Sequence, residues 1–189
     1  MSSRICFNID TKKISNTGLF SRLFGNRTKV EEHYIDWDIS VALLNDSCQI
    51  ANQNNFIFYN NPTSGDGAIR LKSCIEINIR EPEFDEEVEI EFDKIPENIS
   101  EIVFFLSNHQ EFNFYITDVK VNIFNSEFFD NANSDLFFTN SESCNAIELM
   151  KFARSKVNQN WSIEILNTPV LGPNGLFRIL DKYYIGNVT

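Results

Sequence analysis

From Tyr34 onward, apolar and polar residues alternate in short runs broken by turn formers, the period-two pattern of half-buried strands. VALL at 41–44 and FIFY at 56–59 are strand-like, and NNPTSGDG at 60–67 is a dense turn. SCIEINIR places Ile75, Ile77 and Ile79 on one face; EVEIEF does the same with Val88, Ile90 and Phe92. DKIPENIS reads as a turn, EIVFFLS as a strand apolar enough to be buried on both faces, and ITDVKVNIF as a further alternating strand. In 145–156 the spacing of Ile147, Leu149, Met150 and Ala153 predicts a helix. WSIEIL reads as a strand, and GPNGLFRILDKYY as a short closing helix. Runs of strands joined by tight turns with few helices predict one mainly β domain, a β-sandwich with two or three short helices.

Residues 1–33 differ in pattern from the rest of the chain and are expected to be an N-terminal strap or extension on a sandwich spanning 34–189. They carry Lys12, Lys13, Arg22, Arg27 and Lys29 around the apolar cluster GLFSRLFG. Leu19, Phe20, Leu23 and Phe24 either pack on the domain as a strap or form a small basic amphipathic helix that touches an anionic membrane or a partner. The strap is preferred, because one such turn binds a bilayer weakly; stable membrane binding is not expected.

Charge narrows the partners. A net charge of −11 and a pI near 4.6 oppose association with nucleic acid, which needs a cationic patch to displace counterions. Cys6, Cys48, Cys74 and Cys144 show no paired C-x-x-C spacing, so free thiols in a reducing cytoplasm are expected rather than zinc ligands or disulfides. MSSRICFNID lacks the apolar stretch of a signal peptide, and no apolar run reaches the roughly 18 residues of a membrane-spanning helix.

Catalytic motifs are missing from the sequence. It holds no G-x-S-x-G elbow, H-E-x-x-H pair, phosphate-binding glycine loop or dinucleotide fingerprint. Its two histidines, His33 and His109, read as loop or strand-end residues, so a non-enzymatic protein is expected. Oxygen ligands are more suggestive. Asp36 and Asp38 lie two apart, on one face of any strand they open. Asn60, Asn61, Ser64 and Asp66 form a second cluster, and Asp85-Glu86-Glu87 a third. Calcium accepts six to eight such hard oxygens from several loops. The plain alternative is that all three are solvated turn residues. An enzyme using Asp36 and Asp38 as acid and base is a distant third reading.

These residues, in this order, resemble a family. Asp36-x-Asp38-x-Ser40, then Phe58-Tyr59-Asn60-Asn61, then Ser64-Gly65-Asp66-Gly67-Ala68-Ile69 is similar to the TerD family of tellurium-resistance and general stress proteins. Asp85-Glu86-Glu87 before an alternating strand, Asp93-Lys94-Ile95-Pro96 and the late Trp161 strand continue the likeness from about 34 to 186. The resemblance implies a cytoplasmic, non-enzymatic β-sandwich that binds Ca2+ through Asp36, Asp38, Asn61, Asp66, Asp85, Glu86 and Glu87. Its partners would be other proteins of the same stress system. Where the family carries a glycine-rich loop with G-D-N, this chain has 74–84 without a glycine. Fewer left-handed turns are then open to wrap carbonyls around an ion, so at least one site is expected to be damaged. The alternative is an interaction or scaffold paralogue that has lost calcium.

Overall fold

The computed structural model describes residues 2–12, 37–73, 86–108, 114–124, 133–138, 143–170 and 174–184. Among them, the alternating runs pair antiparallel into two sheets. One sheet sets β4 (Ile69–Ser73), β5 (Glu86–Glu91), β1 (Ser2–Lys12), β7 (Phe114–Phe124) and β8 (Asn133–Phe138) side by side, with β9 (Ser143–Cys144) also on β7. The other runs β11 (Trp161–Val170), β10 (Ala146–Arg154), β6 (Ile99–Asn108), β2 (Trp37–Asn45) and β3 (Phe56–Ile57). The closing helix, α1 (Gly175–Tyr183), forms where the sequence predicted it.

Two clusters of apolar side chains organise these layers. In the first, Ile5 and Phe7 of β1, Val88 and Ile90 of β5, and Val119 and Val121 of β7 meet Ile39, Val41, Ile102, Phe104 and Phe152 of the second sheet. This is the sandwich interior, and the expected inward faces of β5 and β7 supply part of it. The second cluster lies on the other face of the second sheet. Ala42, Leu44, Val103 and Phe105 are covered there by Ile179 and Tyr183 of α1. With both faces covered, β2 and β6 read in sequence as nearly continuous apolar runs.

The segment 145–156, predicted as a helix, is instead strand β10, paired with both β6 and β11. Against β6, Glu148 and Met150 sit opposite the adjacent Phe105 and Phe104, so Leu149 is an extra residue, a β-bulge; against β11 the register also shifts there, with the extra residue on β11. The bulge sends Ile147, Leu149, Met150 and Phe152 all to the sandwich interior. That spacing imitates a helical stripe. Within the N-terminal segment 1–33, the described part, Ser2–Lys12, is a strand hydrogen-bonded between β5 and β7. Residues 13–36, with the apolar cluster at 19–24 and His33, lie outside the described residues, as do Ile75, Ile77, Ile79 and His109.

Cys6 and Cys144 are buried and Cys48 is exposed, with none of the three in a disulfide; Cys74 is outside the described residues. Lys151 bridges three strands of the second sheet through Glu101 at 2.8 Å and Glu164 at 3.2 Å. The hydrogen bond to Glu101 is the main cause that holds the Lys151 ammonium above its ordinary value of 10.5, against partial burial. A folded-state pKa above the unfolded one adds stability that is complete below the unfolded value and lost as pH rises through the folded one. Thermal stability is therefore expected to fall as pH climbs past about 10.4. A Lys151→Met variant, followed by melting temperature from pH 8 upward, should show a shallower fall.

Candidate functional site

On the outer face of the second sheet, beside α1, lies a cleft of about 650 Å³. Strand β2 contributes Asp38 and Ser40, because Trp37, Ile39 and Val41 turn inward and the alternate residues must turn out. One wall comes from the hairpin after β3. Phe58 and Asn61 exchange backbone hydrogen bonds of 3.1 and 2.8 Å, which closes a tight turn with Tyr59 and Asn60 at its tip. Phe56 stacks on Phe58 with ring centroids 5.3 Å apart, and Tyr59 meets Phe58 edge-on at 5.4 Å. The opposite wall is α1, which presents Leu176, Phe177, Leu180 and Asp181, followed by Tyr184. Burial pushes the Tyr184 phenol above its ordinary value, so it stays neutral at physiological pH.

The helix is held against the sheet from both ends. At its start, the Gly175 N–H donates to Oδ1 of Asn145 at 3.1 Å, so a residue just before β10 satisfies one of the orphan amides of the helix N-terminus. Near its end, Lys182 donates to both oxygens of the buried Glu148 carboxylate at 3.1 Å. Glu148 lies in β10 and is 5% exposed, so the ammonium supplies the charge partner that burial demands.

Of the residues singled out in the sequence, Asp38 and Asn61 meet in this cleft. The Asn61 Nδ2 donates to the Phe56 carbonyl at 2.7 Å, which leaves the amide oxygen as the end suited to a cation. Asp66 lines a smaller adjoining hollow that shares Asn54 with the cleft. Its Oδ1 accepts from Ser64 Oγ at 2.6 Å and from the Ala68 N–H at 2.8 Å, so it also builds the turn in which Gly67 takes φ +70°.

Glu86 and Glu87 belong to β5, in the other sheet. Since Val88 and Ile90 face the interior, Glu87 projects outward, where it pairs with Lys72 at 3.4 Å and Arg4 at 4.0 Å. A bond to Glu89 is the main cause that raises the Lys72 pKa. Asp36 and Asp85 lie outside the described residues.

Sequence reasoning missed Gln53, Asn54 and Asp181. Nothing in the local sequence around Asp181 marks it, because only docking of α1 brings it to the cleft. Among the described residues, no three His, Cys, Asp or Glu side chains group as a metal site. The polar residues that line the cleft carry hard oxygens: carboxylates of Asp38 and Asp181 and amides of Gln53, Asn54 and Asn61. Their chemistry fits calcium rather than zinc, and water would have to complete a coordination of six or more. Among the described residues, no helix is long and apolar enough to cross a membrane.

Comparison with known proteins agrees with this architecture. A family model described as the TerD domain matches residues 8–172. A solved structure of a homologue of the telluride resistance protein TerD, from Streptomyces coelicolor A3(2), is similar over 93% of this chain and 94% of its own. It has a TM-score of 0.61 and 13% identity. A second, titled only as a protein of unknown function, is similar over 96% of both chains, with a TM-score of 0.63 and 12% identity. At such identities the likeness concerns the fold. No curated protein matches the chain.

Proposed function

This chain belongs to the TerD family, the premise from which we propose that it is a non-enzymatic, calcium-binding module of a cytoplasmic tellurium-resistance or stress system. Family membership supports the tellurium-resistance or stress-type role. The calcium reading is supported by one observation, that Asp38 and Asn61 line a single cleft although they come from different strands and loops. Asp38 would supply the charge and Asn61 a neutral oxygen, with Gln53, Asn54 and Asp181 in reach of the same space. Calcium, when bound, would tie β2 to the 53–61 loop. The ion pairs around Glu87 favour a stabilising role for that residue within the first sheet. A site with few carboxylates should hold calcium weakly.

Millimolar calcium is expected to raise the melting temperature of the full chain, since an ion that binds only the folded state stabilises it by mass action. Magnesium, which requires stricter octahedral geometry, should do clearly less. Asp38→Asn should abolish most of the shift, and Glu87→Gln should preserve it at a lower baseline melting temperature. Calorimetry without a calcium signal at millimolar concentration would instead favour a protein-interaction scaffold that retains the fold. That reading expects partners among other proteins of the stress system.

A further inference from the structure

Asn174 and Gly175 are the one Asn-Gly pair in the chain, and they stand at the start of α1. Such a pair holds a latent reaction. The glycine nitrogen can attack the side-chain carbonyl of the asparagine, because no Cβ on the following residue obstructs its approach. The two partners of that reaction are held very differently here. Asn174 is exposed, with φ +59°, and its side chain makes no capping hydrogen bond to the helix. Gly175 is buried, and its N–H donates to Oδ1 of Asn145 at 3.1 Å. A backbone nitrogen attacks only once it has lost its proton, and this proton is engaged by an acceptor away from water. The electrophile is therefore open while the nucleophile is locked. The lock is the seat of α1 on β10, and a local opening of the helix start releases it.

We propose that Asn174 is a deamidation site gated by the seat of α1, so that opening of the helix start permits a one-way covalent change that loosens the helix. The deprotonated Gly175 nitrogen bonds to Cγ of Asn174, the bond from Cγ to the side-chain nitrogen breaks, and ammonia leaves with a proton from water. Water then opens the cyclic imide at either carbonyl. One product is aspartate, which leaves the main chain unaltered and whose charge is favourable at a helix N-terminus. The other is isoaspartate, in which the main chain runs through Cβ and Cγ and gains a carbon, while the former backbone carbonyl becomes a free carboxylate. Arg178 then loses the peptide carbonyl of residue 174, to which its N–H donates at 3.1 Å. The contact has no slack to absorb the added carbon, since a Cβ at Gly175 would already stand 2.7 Å from that of Ala146. The isoaspartate form thus seats α1 poorly over Ala42, Val103 and Phe105. The proposal stands apart from the calcium reading and does not require it.

The test is peptide mapping by mass spectrometry of the full chain, aged at mildly alkaline pH, with isoaspartate assigned from backbone fragmentation. Asn174 should be the first asparagine of the folded chain to convert, yet about tenfold or more slower than in the same chain unfolded in guanidinium. Asn145→Ala should speed the conversion by about fivefold, the rate equivalent of one lost hydrogen bond, and should speed hydrogen exchange of the Gly175 amide in parallel. Asn145→Asp, which keeps an acceptor oxygen, should retain the slow rate. Ageing should lower the melting temperature of the natural chain and leave that of Asn174→Gln unchanged. Equal rates in the folded and unfolded chain, an Asn145→Ala rate equal to the natural one, or an aged chain that melts like aged Asn174→Gln despite conversion would each overturn the proposal. If Asn145→Ala fails to fold, the guanidinium comparison and the ageing of Asn174→Gln decide it alone.

Discussion

Replacement of Phe104 by alanine is expected to destabilise the domain by about 3–5 kcal/mol, the usual cost of deleting a large aromatic side chain from a packed core. Phe104 is fully buried in β6. Its ring lies 5.3 Å from that of Phe152 in the same sheet and 6.1 Å from that of Phe7 in the opposite one. Its loss therefore removes a contact within the second sheet and an aromatic bridge between the two layers. Neighbours drawn from two sheets cannot collapse into the void without moving a whole strand, which places the cost in the upper part of that range. Urea unfolding should show a lower midpoint with an unchanged slope. A change below about 1 kcal/mol would mean that the layers are not joined through this residue.

The second large effect is expected at Gly175, the first residue of α1. A side-chain carbon built there would overlap Asn145 Oδ1 and stand 2.7 Å from the Cβ of Ala146. Glycine is required by this close approach of helix to sheet, and its φ is not in the left-handed region. Gly175→Val should cost about 1–3 kcal/mol by overpacking. Displacement of the Gly175 amide from Asn145 leaves a buried acceptor and donor apart, for about 1 kcal/mol more. The functional consequence is more informative. Because α1 forms one wall of the cleft, Gly175→Val should weaken calcium binding there even though residue 175 does not line the cleft. Retained stability with intact binding would show that the helix does not depend on this contact for its seat.

Much of the sandwich was legible in the residues themselves. Val88, Ile90 and Phe92 alternate with Glu87, Glu89 and Glu91, and the structure buries the first set. In 101–107 the apolar run is a strand covered on both sides, and GLFRILDKY forms the closing helix. Strand β1 had a signal too: Ile5, Phe7 and Ile9 alternate with Arg4, Cys6 and Asn8, a pattern overshadowed by the basic segment after it. The outward direction of Glu87 could likewise have been deduced from its neighbours, since a residue beside a buried one on a strand must face the other way.

Periodicity reports which residues are buried, and that is what this sequence determined by itself: the strands that alternate, the amphipathic closing helix and the order of motifs that identifies the family. Only the tertiary structure decided the rest. A bulge at Leu149 rotates half of β10 by one residue, and one-dimensional spacing cannot distinguish the resulting stripe from a helix, because both put residues at mixed intervals on one face. The cleft is equally invisible along the chain. Asp38, Asn61 and Asp181 are separated by long stretches of sequence, and they line one cleft only because the 53–61 loop folds beside β2 and Gly175 lets α1 lie flat against the same sheet. Burial is a property each residue carries in its own chemistry, whereas a site depends on distances that packing alone sets.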